Sequence, residues 1–233
     1  MTDLESSENL INRYQSVKQD IISACSDTDR NAESVELLAV SKKHSIDSIR
    51  SIYTQGQRAF GENYVQEGVD KVAALASLDI DWHFIGPIQS NKSRLVAEHF
   101  DWVHTIDRLK IAKRLNEQRP TDMPALNVLI QINISNQESK SGIQLTELKE
   151  LAEQISALKS LNLRGLMCIP QDQESSALEQ EFLEMKLAFT ELKKRYPNVD
   201  TLSMGMSGDL RSAVKCGSTM VRIGTAIFGQ RIQ

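Results

Sequence analysis

The chain has 233 residues, of which 40% are hydrophobic and 25% are charged, and its formal net charge is −4. These proportions argue against a disordered chain, and the length fits one large domain or two small ones. With the barrel predicted below, we expect a single domain over residues 1–233. The sequence has no dense lysine and arginine run of a nucleic-acid binder, no membrane-length apolar stretch and no signal-peptide pattern at "MTDLESSENL". We therefore expect a cytoplasmic protein that binds neither nucleic acid nor a membrane.

The three cysteines, Cys25, Cys168 and Cys216, are odd in number, and they are far apart in the sequence. They lack the spacing of a metal site, and a disulfide framework needs an even set. We predict reduced thiols.

Eight short apolar runs follow one another along the chain, and helical patterns fill the gaps between them. Their nearly continuous hydrophobicity is typical of parallel strands that are covered on both faces. The predicted strands are Glu36–Ser41, Arg58–Gly61, Asp81–Gly86, Asp101–Ile106, Asn127–Ile134, Asn162–Ile169, Asp200–Met206 and Thr219–Gly224. Eight strand–helix alternations predict an α/β fold, a (β/α)8 TIM barrel.

Only "TAIFGQRIQ" follows the eighth strand, which is too short for a full covering helix. A helical segment from about Leu4 to Ser26 precedes the first strand and is predicted to cover the gap between strands eight and one. The apolar positions predicted to form its buried face are Leu10, Ile11, Tyr14, Val17, Ile21 and Ile22. No exposed apolar stripe that would demand a partner is expected, and we predict a monomer.

Functional residues of such barrels lie in the loops after the strands. Lys42 and Lys43 follow the first strand, and alternation alone leaves open which of them points into the mouth.

Loops seven and eight of such barrels often bind phosphate. Loop seven reads "MGMSGDLRSAV", in which Ser207 is predicted to cap a helix that starts at Gly208. In loop eight, Gly224 and Thr225 offer backbone amides and a hydroxyl, while Arg222 lies inside the strand. A turn with an ordinary helix cap explains loop seven equally well, and a paired interior arginine explains Arg222.

A lysine on one side of the mouth and a phosphate cradle on the other suggest a phosphorylated carbonyl ligand. Burial and nearby cations favour the neutral amine that condensation with a carbonyl requires. Pyridoxal phosphate, an aldolase-type sugar phosphate and a purely structural lysine all remain open on these residues.

The chain resembles the pyridoxal phosphate homeostasis proteins, single-domain relatives of the alanine racemase barrel. The segments that carry the resemblance span about Leu37 to Gly229: "LLAVSK", "FGENYVQE", "WHFIGPIQSNKS", "INISNQESKSG", "RGLMCIP", "LSMGMSGDL" and "GSTMVRIGTAIFG". The resemblance implies that Lys42 forms the internal aldimine with pyridoxal 5'-phosphate, and that Ser207, Gly224 and Thr225 hold the phosphate. It also implies that Arg222 faces the pyridine nitrogen.

The sequence departs from the family pattern in two places. Lys43, His44 and Ser45 stand where the family has Thr-Lys and often Pro, so that Lys43 could compete for the aldehyde. At the end, Ile232 and Gln233 replace an Asp-Tyr pair, and the tail receives no role.

Other polar residues have competing interpretations. Asn63 is predicted to lie near the cofactor ring, and helix capping is the alternative. His83 is predicted to be an interior histidine whose ring nitrogens have hydrogen-bond partners. Ser90 is expected to cap a helix. Lys140, in loop five, is a hypothetical transient acceptor of the aldehyde, with a solvated loop lysine as the alternative. His44, His99 and His104 are not expected to cluster, which argues against a metal site.

Two functions are weighed. The first is a regulator that binds pyridoxal phosphate reversibly and passes it transiently to apo-enzymes. The second is an amino-acid racemase or decarboxylase of weak activity. The resemblance implies that a racemase takes its second base from a tyrosine of an additional β-domain, which we expect this chain to lack. Tyr64 is the one substitute by position, although a packed aromatic is the simpler interpretation. The resemblance therefore favours a regulator without a reaction of its own, and a sugar-phosphate aldolase is remote.

Overall fold

The computed structural model describes residues 2–137, 140–171 and 175–230, with side chains described from residue 8 onward and excluding that of residue 175. Within these ranges the chain forms a closed barrel of parallel strands in the order β1 to β8. The strands are β1 (Glu36–Val40), β2 (Ala59–Glu62), β3 (Asp81–Phe84), β4 (Trp102–Ile106), β5 (Leu126–Ile132), β6 (Leu161–Cys168), β7 (Thr201–Ser203) and β8 (Met220–Ile223). The predicted (β/α)8 barrel is confirmed, and all eight predicted strands are present.

Helices surround the barrel and pack against its strands or against one another. They are α1 (Thr2–Ser26), α2 (Ile46–Thr54), α3 (Val65–Ala74), α4 (Ser93–His99), α5 (Leu109–Gln118), α6 (Leu148–Ser156), α7 (Ser175–Arg195), α8 (Leu210–Lys215) and α9 (Thr225–Phe228). Helix α2 shows the local logic: the Ser45 hydroxyl accepts a hydrogen bond from Ser48 N at 3.2 Å, and Ile49 and Ile52 are buried. In the described part of the chain, no helix is both long and apolar enough to cross a membrane.

Helix α1 covers the region between β8 and β1, as predicted. It packs against α8, α9 and α2, and four of its predicted apolar residues, Leu10, Tyr14, Val17 and Ile21, are buried. The prediction was wrong for Ile22, whose side chain is 44% exposed, because it lies beyond the edge of the buried stripe.

Strand β1 pairs with both β2 and β8, which closes the barrel. Because side chains alternate along a strand, Leu38 of β1 and Met220 and Arg222 of β8 share the inner face. The lumen also holds Trp102, Leu129 and Met167. Toward the carboxyl ends of the strands the lumen holds polar side chains, among them buried Arg222.

Three local predictions were wrong. Helix α8 begins at Leu210 with Asp209 as the preceding cap residue, so Ser207 lies in a turn. There, the Met206 N–H donates to the Asp209 carboxylate. Helix α4 begins at Ser93, and the residue before it is Lys92, so Ser90 is not its cap.

The third wrong prediction is that the protein exposes no apolar stripe. On α7, Leu183 is 47% exposed and Leu187 is 67% exposed, which gives this helix the apolar surface that was not expected.

Candidate functional site

A cavity of about 320 Å³ opens at the carboxyl ends of the barrel strands. Its lining residues come from the ends of β1, β6 and β8, from the segments that follow β1, β2, β3, β6 and β7, and from the start of α9. All six residues predicted to bind a cofactor border it: Lys42, Asn63, Ser207, Arg222, Gly224 and Thr225. The fold therefore brings together side chains that are up to 183 positions apart (225 − 42).

Strand alternation decides between the two lysines. Leu38 and Val40 precede Lys42 at intervals of two, and Val40 and Lys42 both border the cavity. Lys43 has a left-handed backbone with a φ of 61°, and its ammonium lies over the Tyr64 ring, 5.8 Å from the centroid. The structure thus directs Lys42 to the cavity and Lys43 to the outside.

Loops seven and eight build another part of the cavity wall, and loop eight adjoins the end of β1. Ser207 and Gly208 line it from loop seven, and Gly224 and Thr225 line it from the start of α9. A Cβ atom at Gly224 would lie 3.3 Å from the Val40 carbonyl oxygen, closer than most such contacts. The missing side chain lets the β1 and β8 ends approach each other and leaves backbone groups facing the cavity.

Arg222 is buried at the floor of the cavity. Its Nη1 donates to the Ser203 hydroxyl at 2.8 Å, and its Nη2 donates to the Cys168 carbonyl at 2.8 Å. Burial lowers the pKa of the Arg222 guanidinium from its usual range. Burial also raises the pKa of the Cys168 thiol to about 12, so this cysteine stays protonated. Arg222 is therefore paired, as both its cofactor role and the alternative of an interior structural arginine require.

Two histidines continue the hydrogen bonds of Arg222 and Ser203 into the lumen of the barrel. Ser203 Oγ lies 3.2 Å from His104 Nδ1, and His104 Nε2 lies 2.9 Å from His83 Nδ1. His83 stacks on Trp102 with ring centroids 5.1 Å apart. His83 is the satisfied interior histidine that was predicted, although its partner, His104, was not foreseen.

Both histidines are neutral near pH 7. Burial and the Arg164 cation lower the pKa of His83 to about 3. Burial, His83 and Arg222 lower the pKa of His104 well below 6.5. In the hydrogen-bonded row of Arg222, Ser203, His104 and His83, Arg222 therefore carries the one positive charge.

Acid is expected to destabilise the fold through this pair. Between pH 6.5 and about 3 the unfolded chain binds a proton at His83 that the folded chain does not bind, so the free energy of unfolding falls as the pH falls. For His83 alone the loss at pH 5 is about 2 kcal/mol. Urea unfolding at pH 7.5 and pH 5 should show a smaller pH-dependent loss in His83→Gln than in the parent.

His99→Gln is the control for this experiment, because His99 Nδ1 forms a hydrogen bond within its own helix, with Leu95 O at 2.9 Å, and lies outside the His83–His104 pair. This variant should keep the parent's pH dependence. Equal pH dependence in His83→Gln and the parent would contradict a neutral buried His83.

Asn63 lines the cavity and also borders a neighbouring groove and a smaller chamber. Its Oδ1 atom is buried without a hydrogen-bond partner in the structure, which is costly unless a ligand supplies a donor. Asn63 also borders a chamber of about 240 Å³ with Lys140 and Ile169. The Lys140 ammonium donates to the carbonyls of Ile169 and Pro170, at 3.3 and 2.8 Å, so it is not merely a solvated loop lysine.

Other sequence predictions around the mouth have mixed outcomes. Tyr64 is 48% exposed and so is not a packed aromatic, and it borders a groove beside the cavity that Lys42 lines. The tail residues Ile232 and Gln233 lie outside the described residues. In the described part of the chain, no group of three or more His, Cys, Asp or Glu is placed to hold a metal, and Cys25, Cys168 and Cys216 are all free thiols.

The sequence interpretation missed a charged cluster behind Lys42. Lys71 forms ion pairs with Glu62 and Glu67, each at 2.7 Å. The spacing of Glu67 and Lys71, four residues apart on a predicted helix, was a usable signal. The contact with Glu62 depends on how α3 packs on β2 and was not readable from the sequence.

Comparisons with known proteins agree with this architecture. The family model for "Alanine racemase, N-terminal domain" matches residues 23–232. The "Pyridoxal phosphate homeostasis protein" of Haemophilus influenzae is 58% identical over 229 residues, which is 96% of each chain. That of Escherichia coli K12 is 58% identical over 219 residues, covering 92% of this chain and 94% of the relative.

A solved structure is also close. PipY of Synechococcus elongatus PCC7942, determined with PLP bound, has a TM-score of 0.77 and 36% identity, and the match covers 90% of this chain and 100% of PipY. With this barrel, this mouth and these relatives, the chain belongs to the pyridoxal phosphate homeostasis protein family, whose barrel is the alanine racemase N-terminal domain.

Proposed function

We propose that this protein binds pyridoxal 5'-phosphate reversibly in the cavity at the barrel mouth and takes part in vitamin B6 homeostasis. It would limit the free reactive aldehyde and pass the cofactor to apo-enzymes that depend on it. One observation carries the proposal: an amine, a buried guanidinium and a hydroxyl-lined wall border a single cavity of about 320 Å³. A relative of 36% identity has PLP in its structure.

The residues present fit this cofactor. When bound, the cofactor supplies an aldehyde carbon that condenses with an amine with loss of water. Lys42 is the residue we assign to that amine, and Ser207, Gly224 and Thr225 are those we assign to the phosphate through hydroxyl and backbone donors. The unpartnered Asn63 Oδ1 offers an acceptor for a ligand donor at the same cavity.

Arg222 would limit the carbanion chemistry that the bound cofactor supports. We assign its guanidinium to the pyridine nitrogen, where a cation disfavours ring protonation. An unprotonated ring is a poorer electron sink, so carbanion chemistry receives less assistance than it would from a carboxylate partner. Such a site holds the cofactor while giving little support to racemisation or decarboxylation.

A weak amino-acid racemase or decarboxylase is the second candidate. A two-base racemase needs an acid or base on each face of the ring, and Lys42 could serve one face. Tyr64, the substitute proposed from sequence, borders the adjacent groove rather than the cavity that Lys42 lines. We therefore favour the regulator, and we propose that it acts in the cytoplasm as a monomer.

The transfer of cofactor tests the proposed function. Protein loaded with pyridoxal phosphate and freed of excess should restore the activity of an apo-enzyme that depends on this cofactor. Incubation of the loaded protein with each amino acid should leave that amino acid's amount and chirality unchanged. Turnover of any amino acid would instead establish the enzyme, and failure to bind the cofactor would refute both candidates.

Lys140 stays a hypothesis of its own within this function. If it takes the aldehyde during loading or release, Lys140→Ala should slow transfer to an apo-enzyme while leaving the loaded fraction unchanged. Its position in a chamber that shares Asn63 and Ile169 with the cofactor cavity supports the idea. Lys159→Ala, at an exposed lysine, is the control, and transfer rates equal to the parent's would remove the hypothesis.

A further inference from the structure

A buried ion cluster lies directly behind the segment that carries Lys42. The ammonium of Lys71, on α3, donates to three oxygens, which uses all of its N–H groups. They are Ser41 O at 2.8 Å, Glu62 Oε1 at 2.7 Å and Glu67 Oε1 at 2.7 Å.

The same cluster holds the peptide groups on both sides of Lys42. On one side, the Ser41 carbonyl accepts from Lys71, and the Ser41 hydroxyl donates to Glu62 Oε1 at 2.7 Å. On the other side, the Lys43 N–H donates to Glu67 Oε1. The backbone on either side of the Lys42 Cα is therefore tied to one ammonium and its two carboxylates.

The segment needs such a restraint. Lys43 has a φ of 61°, in the left-handed region that a residue with a side chain adopts at a cost. This turn sends Lys43 outward over Tyr64, while Lys42 continues the inward-facing series of β1. Loss of the Glu67 bond would let the turn relax and would widen the range of directions open to Lys42.

Stability alone does not explain the cluster. Lys71 is 5% exposed and Glu62 is fully buried, with its Oε2 atom unpartnered. Burial raises the pKa of the Glu62 carboxyl, and Lys71 opposes that shift. Buried ion pairs are often no more stable than apolar residues of similar size, because desolvation offsets their attraction. A role in fixing the backbone gives this arrangement a reason.

We propose that Lys71 and Glu67 are positioning residues: together with Glu62 they clamp the 41–43 segment so that the Lys42 amine points into the cofactor cavity. The proposal rests on the proposed function, in which Lys42 captures pyridoxal phosphate. The clamp affects how readily the Lys42 amine reaches the aldehyde. It does not affect the contacts with the phosphate.

Glu67 is the residue to test, because its side chain is 27% exposed and the fold should tolerate its replacement. Glu67→Ala removes both the tie to Lys43 and one partner of Lys71. Glu67→Gln keeps an oxygen that can accept from both and serves as the conservative rescue. Glu98→Ala is the matched control, since Glu98 forms a similar helical pair with Arg94 and has a 32% exposed side chain.

The first measurement uses the protein without cofactor. Amide hydrogen exchange at Lys43 should be about tenfold faster in Glu67→Ala than in the parent, with Glu67→Gln and Glu98→Ala close to the parent. This readout is independent of whether the protein binds pyridoxal phosphate.

The second measurement is the rate at which added pyridoxal phosphate is captured, followed by absorbance. Glu67→Ala should capture it about fivefold more slowly, and Glu67→Gln should recover most of the parent's rate. Unchanged exchange in Glu67→Ala would overturn the clamp, and faster exchange with an unchanged capture rate would overturn its positioning role. Absence of capture by the parent itself would instead be a failure of the proposed function.

Discussion

Lys42→Ala is expected to abolish covalent capture of pyridoxal phosphate and to weaken its binding by about 100-fold, or ~2.8 kcal/mol. The variant retains Arg222 and the hydroxyl-lined wall of the cavity, so a weak non-covalent complex should remain. Equilibrium dialysis gives the affinity, and borohydride treatment followed by mass spectrometry reports the covalent fraction.

Lys43→Ala is the matched control, because it removes a neighbouring amine whose ammonium lies over Tyr64. It should retain covalent capture. If Lys43→Ala loses capture and Lys42→Ala keeps it, the two lysines have exchanged roles and the assignment from strand alternation is wrong.

Gly86→Ala is expected to destabilise the barrel by about 3 kcal/mol or more, because the added Cβ has no room. It would lie 2.0 Å from the Asn63 carbonyl oxygen and 2.7 Å from the Asn63 carbonyl carbon. The backbone must move, and Asn63, at the edge of the cofactor cavity, must move with it. Urea unfolding should show the loss of stability, and the remaining folded protein should bind pyridoxal phosphate more weakly.

Gly208→Ala is the control for this substitution, since among the described residues no atom apart from those of its chain neighbours lies within 4 Å of the Cβ it would add. Its stability should stay close to the parent's. A Gly86→Ala variant as stable as Gly208→Ala would show that the β2 and β3 loops are not in the close contact that the structure describes.

The architecture was readable from the sequence because parallel strands buried on both faces leave a strong local signal. Each run, such as "ELLAVS" or "NVLIQINI", is apolar along its whole length, and helical spacing follows it. The burial of α1 against the barrel was also predictable, because α1 carries an apolar stripe. The strand ends differed by a few residues, where pairing rather than hydrophobicity decides.

The residues that border the cavity were predicted, but their orientations and the start of the neighbouring helix were not. That loops one, seven and eight meet follows from the barrel, so Lys42, Ser207 and Thr225 could be grouped in advance. The choice between Lys42 and Lys43 needed the direction of the β1 inner face and the left-handed turn. The helix after β7 starts later than predicted because Asp209, and not Ser207, takes the cap position.

Contacts between elements distant in sequence were not predictable. The pairing of His83 with His104 depends on the register of β3 and β4, which no local pattern reveals. In the same way, Glu62 reaches Lys71 only because α3 packs on the end of β2. Local spacing reports which face of an element is buried, whereas register and packing decide which polar groups meet on that face.

Borohydride reduction of the unaltered protein loaded with pyridoxal phosphate, followed by peptide mapping, tests the central assignment most directly. Reduction fixes the cofactor to whichever amine holds it. We expect one pyridoxyl label, on Lys42. A label on Lys43 or Lys140 would contradict the assignment of the amine, and the absence of any label would contradict covalent capture at this cavity.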